Sequence, residues 1–139
     1  MNKIQEKRKY PRTSCNLNII IFSSIDEIKG KIANISENGI KFISSQIFKP
    51  LHKYTICFWL LPKMQKINCE ATAVWSQKIG KNNQTSTGFF FSKINKKEKE
   101  KIRKYINLSL IKNNLSKTCE KIFCLLLLFW AQLRQVKPV

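Results

Sequence analysis

Short runs of apolar residues recur about every ten positions through the first two thirds of the chain. From Cys15 to Phe22 the stretch CNLNIIIF alternates apolar with polar positions and is then crowded with β-branched residues, which suits a strand with one buried face. Similar runs follow at 29–35, 39–44, 54–61, 66–77 and 86–92. The separators, ISENG, LPKMQK and GKNNQT, hold the Gly, Pro and Asn that tight turns require. Six short strands joined by turns predict a mainly β domain, a small antiparallel barrel over residues 15–92.

The period changes after Phe91. In SKINKKEKEKIRKYINLSLIKNN, Ile102, Tyr105, Ile106 and Leu110 fall near one helical face and Lys covers the other. One helix is predicted to close the domain near Lys112, with Asn113-Asn114 breaking the run. A final segment, 113–139, carries ten consecutive apolar residues, Ile122–Ala131, bounded by Lys121 and Arg134. The twelve residues between those charges reach about 18 Å as a helix, short of a hydrocarbon core of roughly 30 Å, so a spanning helix is disfavoured. Burial against protein, in cis or in a homodimer, is the favoured fate of this tail over contact with a membrane surface, because the run by itself is apolar all round. Residues 1–14 have no apolar period and read as a flexible basic arm.

Composition adds a charge. The chain has 139 residues, too few for a second full-sized core, and 26 Lys plus Arg against 8 Asp plus Glu, a formal net charge of +18. An anionic partner follows from that balance, although a bias toward Lys, Ile and Asn in coding composition also produces it. Arginine is informative because only four occur, at positions 8, 12, 103 and 134. Five cysteines without CxxC spacing and a single His52 give no zinc pattern, and neither metal nor cofactor is expected. The polar MNKIQEKRKYPR start lacks the apolar run of a secretory signal, which points to the cytoplasm and free thiols. No G-x-S-x-G, P-loop or paired carboxylates appear, so the chain is not expected to be an enzyme.

Two polar motifs stand out against this background. RKYPR places Arg8 and Arg12 four residues apart on the arm, and a guanidinium can fork onto a phosphate or stack on a purine where Lys offers a point charge. Twenty-two residues after Arg12 comes Asn34-Ile35-Ser36-Glu37-Asn38-Gly39, at the junction of the second and third strands. On an extended backbone Asn34 and Ser36 share a side, and Gly39 lets a turn come close to a ligand. Each motif alone also fits a plainer description, a solvated arm and an Asn-Gly hairpin.

Taken together, RKYPR before the first strand and NISENG between the second and third resemble the RxxxR and (D/N)xSxxG motifs of the PilZ domain. Ala73-Val74-Trp75 and Thr87-Gly88-Phe89-Phe90-Phe91 extend the similarity, which covers about residues 6–112. The resemblance implies a six-stranded PilZ-type antiparallel barrel with a C-terminal helix, here followed by an extra apolar helical tail. It also implies a bacterial receptor for the second messenger cyclic di-GMP, which relays binding by conformational change to an unidentified protein partner. On this resemblance Arg8 and Arg12 grip guanine and phosphate while Asn34, Ser36 and Gly39 line the barrel surface. Asn34 stands where many members carry Asp, which removes a strong acceptor for guanine N–H groups. Lys7 is either a contact for a second stacked ligand or a solvated cation. Trp75 either closes over a guanine or packs in the core, and the alternation Ile67, Cys69, Ala71, Ala73, Trp75 favours the core.

Two other readings stay open beside the receptor. A small basic barrel can track a single-stranded nucleic acid on aromatic platforms, although no specific nucleic-acid motif is present. A PilZ-fold adaptor that binds no ligand is the other; intact Arg8, Arg12, Ser36 and Gly39 argue against it.

Overall fold

The computed structural model describes residues 9–135. Six strands form in the order expected: β1 (Arg12–Phe22), β2 (Glu27–Ser36), β3 (Gly39–Ser44), β4 (Lys53–Leu60), β5 (Gln65–Ile79) and β6 (Gln84–Lys93). A single helix, α1 (Lys96–Arg134), follows. All strand pairs are antiparallel and the sheet closes on itself in the order β1-β2-β3-β6-β5-β4, with β4 returning to β1.

The alternation read from sequence becomes the barrel interior. Ile19 and Ile21 of β1, Ile32 and Ile35 of β2, Phe42 of β3, Ile56 and Phe58 of β4 and Ile67 of β5 are all essentially inaccessible to solvent. Each fully buried side chain of this size contributes about 1.5–3 kcal/mol relative to an exposed one. Phe48, in the β3–β4 loop, sits edge-on to Phe42, Tyr54 and Phe89 with ring centroids 5.7, 5.3 and 5.3 Å apart, an arrangement aromatic pairs prefer. Phe48 is itself buried, so this loop contributes a residue to the core.

The ends of the barrel domain differ from the sequence expectation in two respects. β1 begins at Arg12, so Arg12–Ser14, read as arm, are already paired with β2 through Arg12↔Ser36, Thr13↔Ile35 and Ser14↔Asn34. The helix does not break at Asn113-Asn114 but continues to Arg134. Asn in a helix interior is only a few tenths of a kcal/mol worse than average, and neither Gly nor Pro is present to stop it. The Thr118 hydroxyl donates to the Asn114 carbonyl one turn back, at 2.9 Å.

Helix α1 starts under a side-chain cap, since the Asn95 carboxamide oxygen accepts the Lys97 N–H at 3.0 Å. Its first turns belong with the barrel. Ile102 and Ile106 are buried, and Glu98 accepts the Asn68 N–H of β5 at 3.3 Å. The chain divides into two compact units at Ile106/Asn107. The second is the remaining helix, whose apolar residues from Leu108 to Leu133 are more than half exposed with Leu110 as a partial exception. No helix among the described residues is long and apolar enough to cross a membrane.

Candidate functional site

The NISENG segment forms the β2–β3 hairpin, with Glu37 and Asn38 as its two turn residues. Among the described residues only Leu51, Met64 and Gly80 have positive φ, so this hairpin does not use the left-handed turn that an Asn-Gly pair usually supplies. Gly39 is required for a different reason. A Cβ at that position would lie 2.3 Å from the Phe89 carbonyl oxygen, so only glycine lets β3 approach β6 this closely. Ser36 is buried and donates its hydroxyl to the Gly39 carbonyl at 3.3 Å, fixing the hairpin from inside. The Asn38 carbonyl accepts the Phe91 N–H at 2.8 Å, which ties the same turn to β6.

Asn34 lies where β2 is irregular. The β2–β3 register shifts between Ile32 and Asn34, and the β1–β2 register shifts between Ser14 and Leu17. Ile35 turns into the core while Asn34 stays half-buried on the outer face, opposite Lys41 of β3.

Trp75 is not a core residue. The β5–β6 register shifts between Ala73 and Trp75, and a bulge of this kind re-aims the side chains that follow it. Val74 and Trp75 are both exposed, at 53% and 41%, and the period-2 argument that placed Trp75 inward fails at that point. The indole lies against its cross-strand partner Gly88, where a Cβ would come within 2.3 Å of the indole nitrogen.

These elements shape a cleft of about 220 Å³ whose lining includes Arg12, Asn34, Ser36, Gly39, Lys41 and Trp75. A second cleft, lined by Lys9, Tyr10, Arg12, Ser36 and Asn38, adjoins it and shares three residues with it. The structure therefore brings Arg12, Asn34, Ser36, Gly39 and Trp75 together. Arg8 and Lys7 lie outside the described residues. Arg12 is exposed and its guanidinium has no ion-pair partner among the described residues. No acidic residue lines either cleft, so Lys9, Arg12 and Lys41 set a positive potential over it. Lys41 and Gly88 were not singled out as site residues from the sequence. The signal for Lys41 was its place two residues after Gly39 on the same strand face.

The one acid of the motif turns away from the cleft. Glu37 accepts a hydrogen bond from Arg103 of α1 at 2.6 Å, with Lys99 at 4.0 Å. That bond, and the charges of Arg103 and Lys99 behind it, hold the Glu37 carboxyl below its ordinary value. The buried thiols move the other way. Desolvation raises Cys15 to about 11 and Cys69 to about 12, and raises Cys57 as well, so none of the three is a nucleophile near neutral pH.

A closed six-stranded barrel with one C-terminal helix, presenting a basic cleft beside a two-residue hairpin, defines the class of protein. The PilZ domain family model matches residues 6–108, and the chain belongs to that family. Among solved structures it is similar to the Bacillus subtilis inhibitor of motility MotI/DgrA, with TM-score 0.67, 22% identity, and 81% of this chain and 53% of that one covered. The chain thus spans about half the length of that relative. It is also similar to the PilZ domain of YcgR from Escherichia coli with c-di-GMP, with TM-score 0.63, 12% identity, and 81% and 98% covered. K. pneumonia MrkH in its apo state gives TM-score 0.68, 10% identity, and 84% and 56% covered. These likenesses establish the shared fold. No curated protein matches the chain in sequence.

Proposed function

We propose that the protein is a non-enzymatic receptor for cyclic di-GMP. The observation that carries this reading is the convergence of Arg12, Asn34, Ser36 and Gly39 with Trp75 on one cleft that has cations and no carboxylates. A cyclic dinucleotide offers two phosphates and two purine faces. Arg12 is placed to fork onto a phosphate or to stack on guanine, and the Trp75 indole offers a second flat surface. Ser36 and Gly39 fix the hairpin, while Asn34 presents a neutral amide to a base edge. Arg8 acts with Arg12 as the other half of the clamp, and ligand binding changes what a protein partner meets. The messenger is taken up in the cytoplasm in this reading.

Calorimetric titration with cyclic di-GMP tests it. Micromolar or tighter affinity is expected, about −8 kcal/mol or better. Arg12→Ala is expected to weaken binding by about 1.5–3 kcal/mol, the usual loss for a hydrogen bond to a charged group, and Arg8→Ala by a similar amount. Arg8→Lys is not expected to restore it, because Lys lacks the planar fork. A double Ala variant that binds as the parent does would remove the arm from the site. A salt series separates a compact divalent ligand, with a shallow slope, from a polyanion with a steep one.

A further inference from the structure

Three phenylalanines stand in a row on β6. Phe89 and Phe91 are buried, and Phe90 between them is 51% exposed. Side chains alternate across a strand, so Phe90 stands on the outer face of the barrel, where its ring adds nothing to the core. Its cross-strand neighbours are Gly39 of β3 and Thr72 of β5. An aromatic beside a cross-strand glycine can stabilise a sheet by covering it. Trp75 does so at Gly88, with its indole nitrogen 2.3 Å from the place a Cβ would take. Phe90 does not cover Gly39. The three atoms nearest the Cβ position of Gly39 are backbone atoms of Phe89 and Phe90, the third at 3.5 Å, so no atom of the Phe90 ring comes closer. Phe90 also takes part in none of the ring pairs among the described residues.

What the ring does line is the cleft, together with Val74 and Trp75, two more exposed apolar side chains. Single exposed apolar residues are ordinary on a protein surface, whereas three gathered in one concavity mark a binding surface. Phe90 and Trp75 are diagonal neighbours across β5 and β6, since Trp75 pairs with Gly88 two residues before Phe90. That relation places Cβ atoms about 7–8 Å apart. The gap is about twice a carbon–carbon contact, which leaves room for a flat ring.

We propose that Phe90 is a ligand-contacting residue whose ring takes the face of one purine of the bound cyclic dinucleotide. The role rests on the receptor reading of this cleft. Arg12 and Lys41 without a carboxylate favour an anion, while the Phe90 ring and Val74 favour a flat apolar face. A nucleotide carries both. Asn34 and Asn38 in the same cleft offer amides to the edge of the base. An apolar peptide seated there would take those amides out of water without pairing them, at a cost in free energy.

Calorimetric titration of the full chain with cyclic di-GMP is the test, on the parent and on two variants that change no charge. Phe90→Leu keeps apolar bulk but removes the flat ring, and is expected to weaken binding by about fivefold to a hundredfold, the loss of one base from an aromatic platform. Phe90→Tyr keeps the ring and is expected to bind within about twofold of the parent. Phe90 lies outside the core, so both variants should melt as the parent does. The salt dependence of binding by Phe90→Leu should also match the parent's, because Arg12 and Lys41 still meet the phosphates. Phe90→Leu binding as tightly as the parent would overturn the platform and leave the receptor reading standing. Phe90→Tyr as weak as Phe90→Leu, or a changed salt slope, would trace the loss to a distorted cleft and likewise overturn the platform alone. A parent that binds no cyclic di-GMP would overturn both.

Discussion

The barrel and the second half of α1 are both rich in large apolar residues, yet they use them in opposite ways. Phe42 in β3 has no exposed surface, whereas Phe129 in the helix is 59% exposed. The difference is one of pattern. In β1, β2, β3 and β5 buried apolar residues largely alternate with more exposed ones, so the closed sheet hides about every second side chain along those strands. After Asn107 they no longer find a buried face within the described residues of the helix itself. A count of hydrophobic residues would not separate the two regions, while their period does.

The strongest way to break this comparison is to truncate one aromatic in each region. Phe42→Ala is expected to cost about 3–5 kcal/mol in chemical denaturation, and Phe129→Ala to change stability by less than about 0.5 kcal/mol. Equal losses would mean that the helix residue is buried in the folded protein. Thiol reactivity gives a second contrast. Cys119 and Cys124 are exposed on α1, while Cys15, Cys57 and Cys69 in the barrel have raised pKa values from desolvation. Alkylation at pH 8 under native conditions is expected to label the two helix thiols at least about a hundredfold faster than the three in the barrel. Mass mapping of the labelled peptides reads this directly.

A smaller effect concerns the barrel surface. Gly88→Ala adds one methyl group against the Trp75 indole and is expected to weaken cyclic di-GMP binding by about 1 kcal/mol, the lower end of what an aromatic platform contributes per base. Leu127→Ala, a larger change on the helix, should leave the titration unaltered. The smallest effect is at Glu37. Its carboxyl pKa is lowered in the folded state, chiefly by the hydrogen bond from Arg103, so its stabilising contribution is present above the unfolded carboxylate value. It is lost as pH falls through the lower folded value. The difference in Tm between the parent and Arg103→Gln should therefore be small at neutral pH and vanish under acid conditions. A difference that grew with acid would show the pair to be doing something other than holding a charged carboxylate.

The strands and the hairpin were legible because they follow local rules. Ile19 and Ile21 alternate cleanly, and Asn34, Ser36 and Gly39 form a compact polar motif that survives without tertiary information. Three features depended on contacts between distant residues. The bulge at Ala73/Trp75 turns Trp75 outward, and nothing in AVW announces a register shift against β6. Gly39 reads as a turn residue, yet what demands glycine there is the Phe89 carbonyl fifty positions away. Asn113-Asn114 looked like a stop, but a weak propensity penalty does not end a helix that continues favourably on both sides.

Closure of the barrel has one more consequence. Each of the six strands has a hydrogen-bonded neighbour on both sides, so the sheet has no free edge strand, although β1 meets β4 only over Ile19–Phe22. Sequences such as NLNIIIF and TGFFF have the composition of fibril-forming segments, and in the closed ring they are sequestered. In concentrated solution the protein should therefore precipitate as amorphous, detergent-reversible material without thioflavin fluorescence, and begin to seed fibrils only under conditions that open the ring.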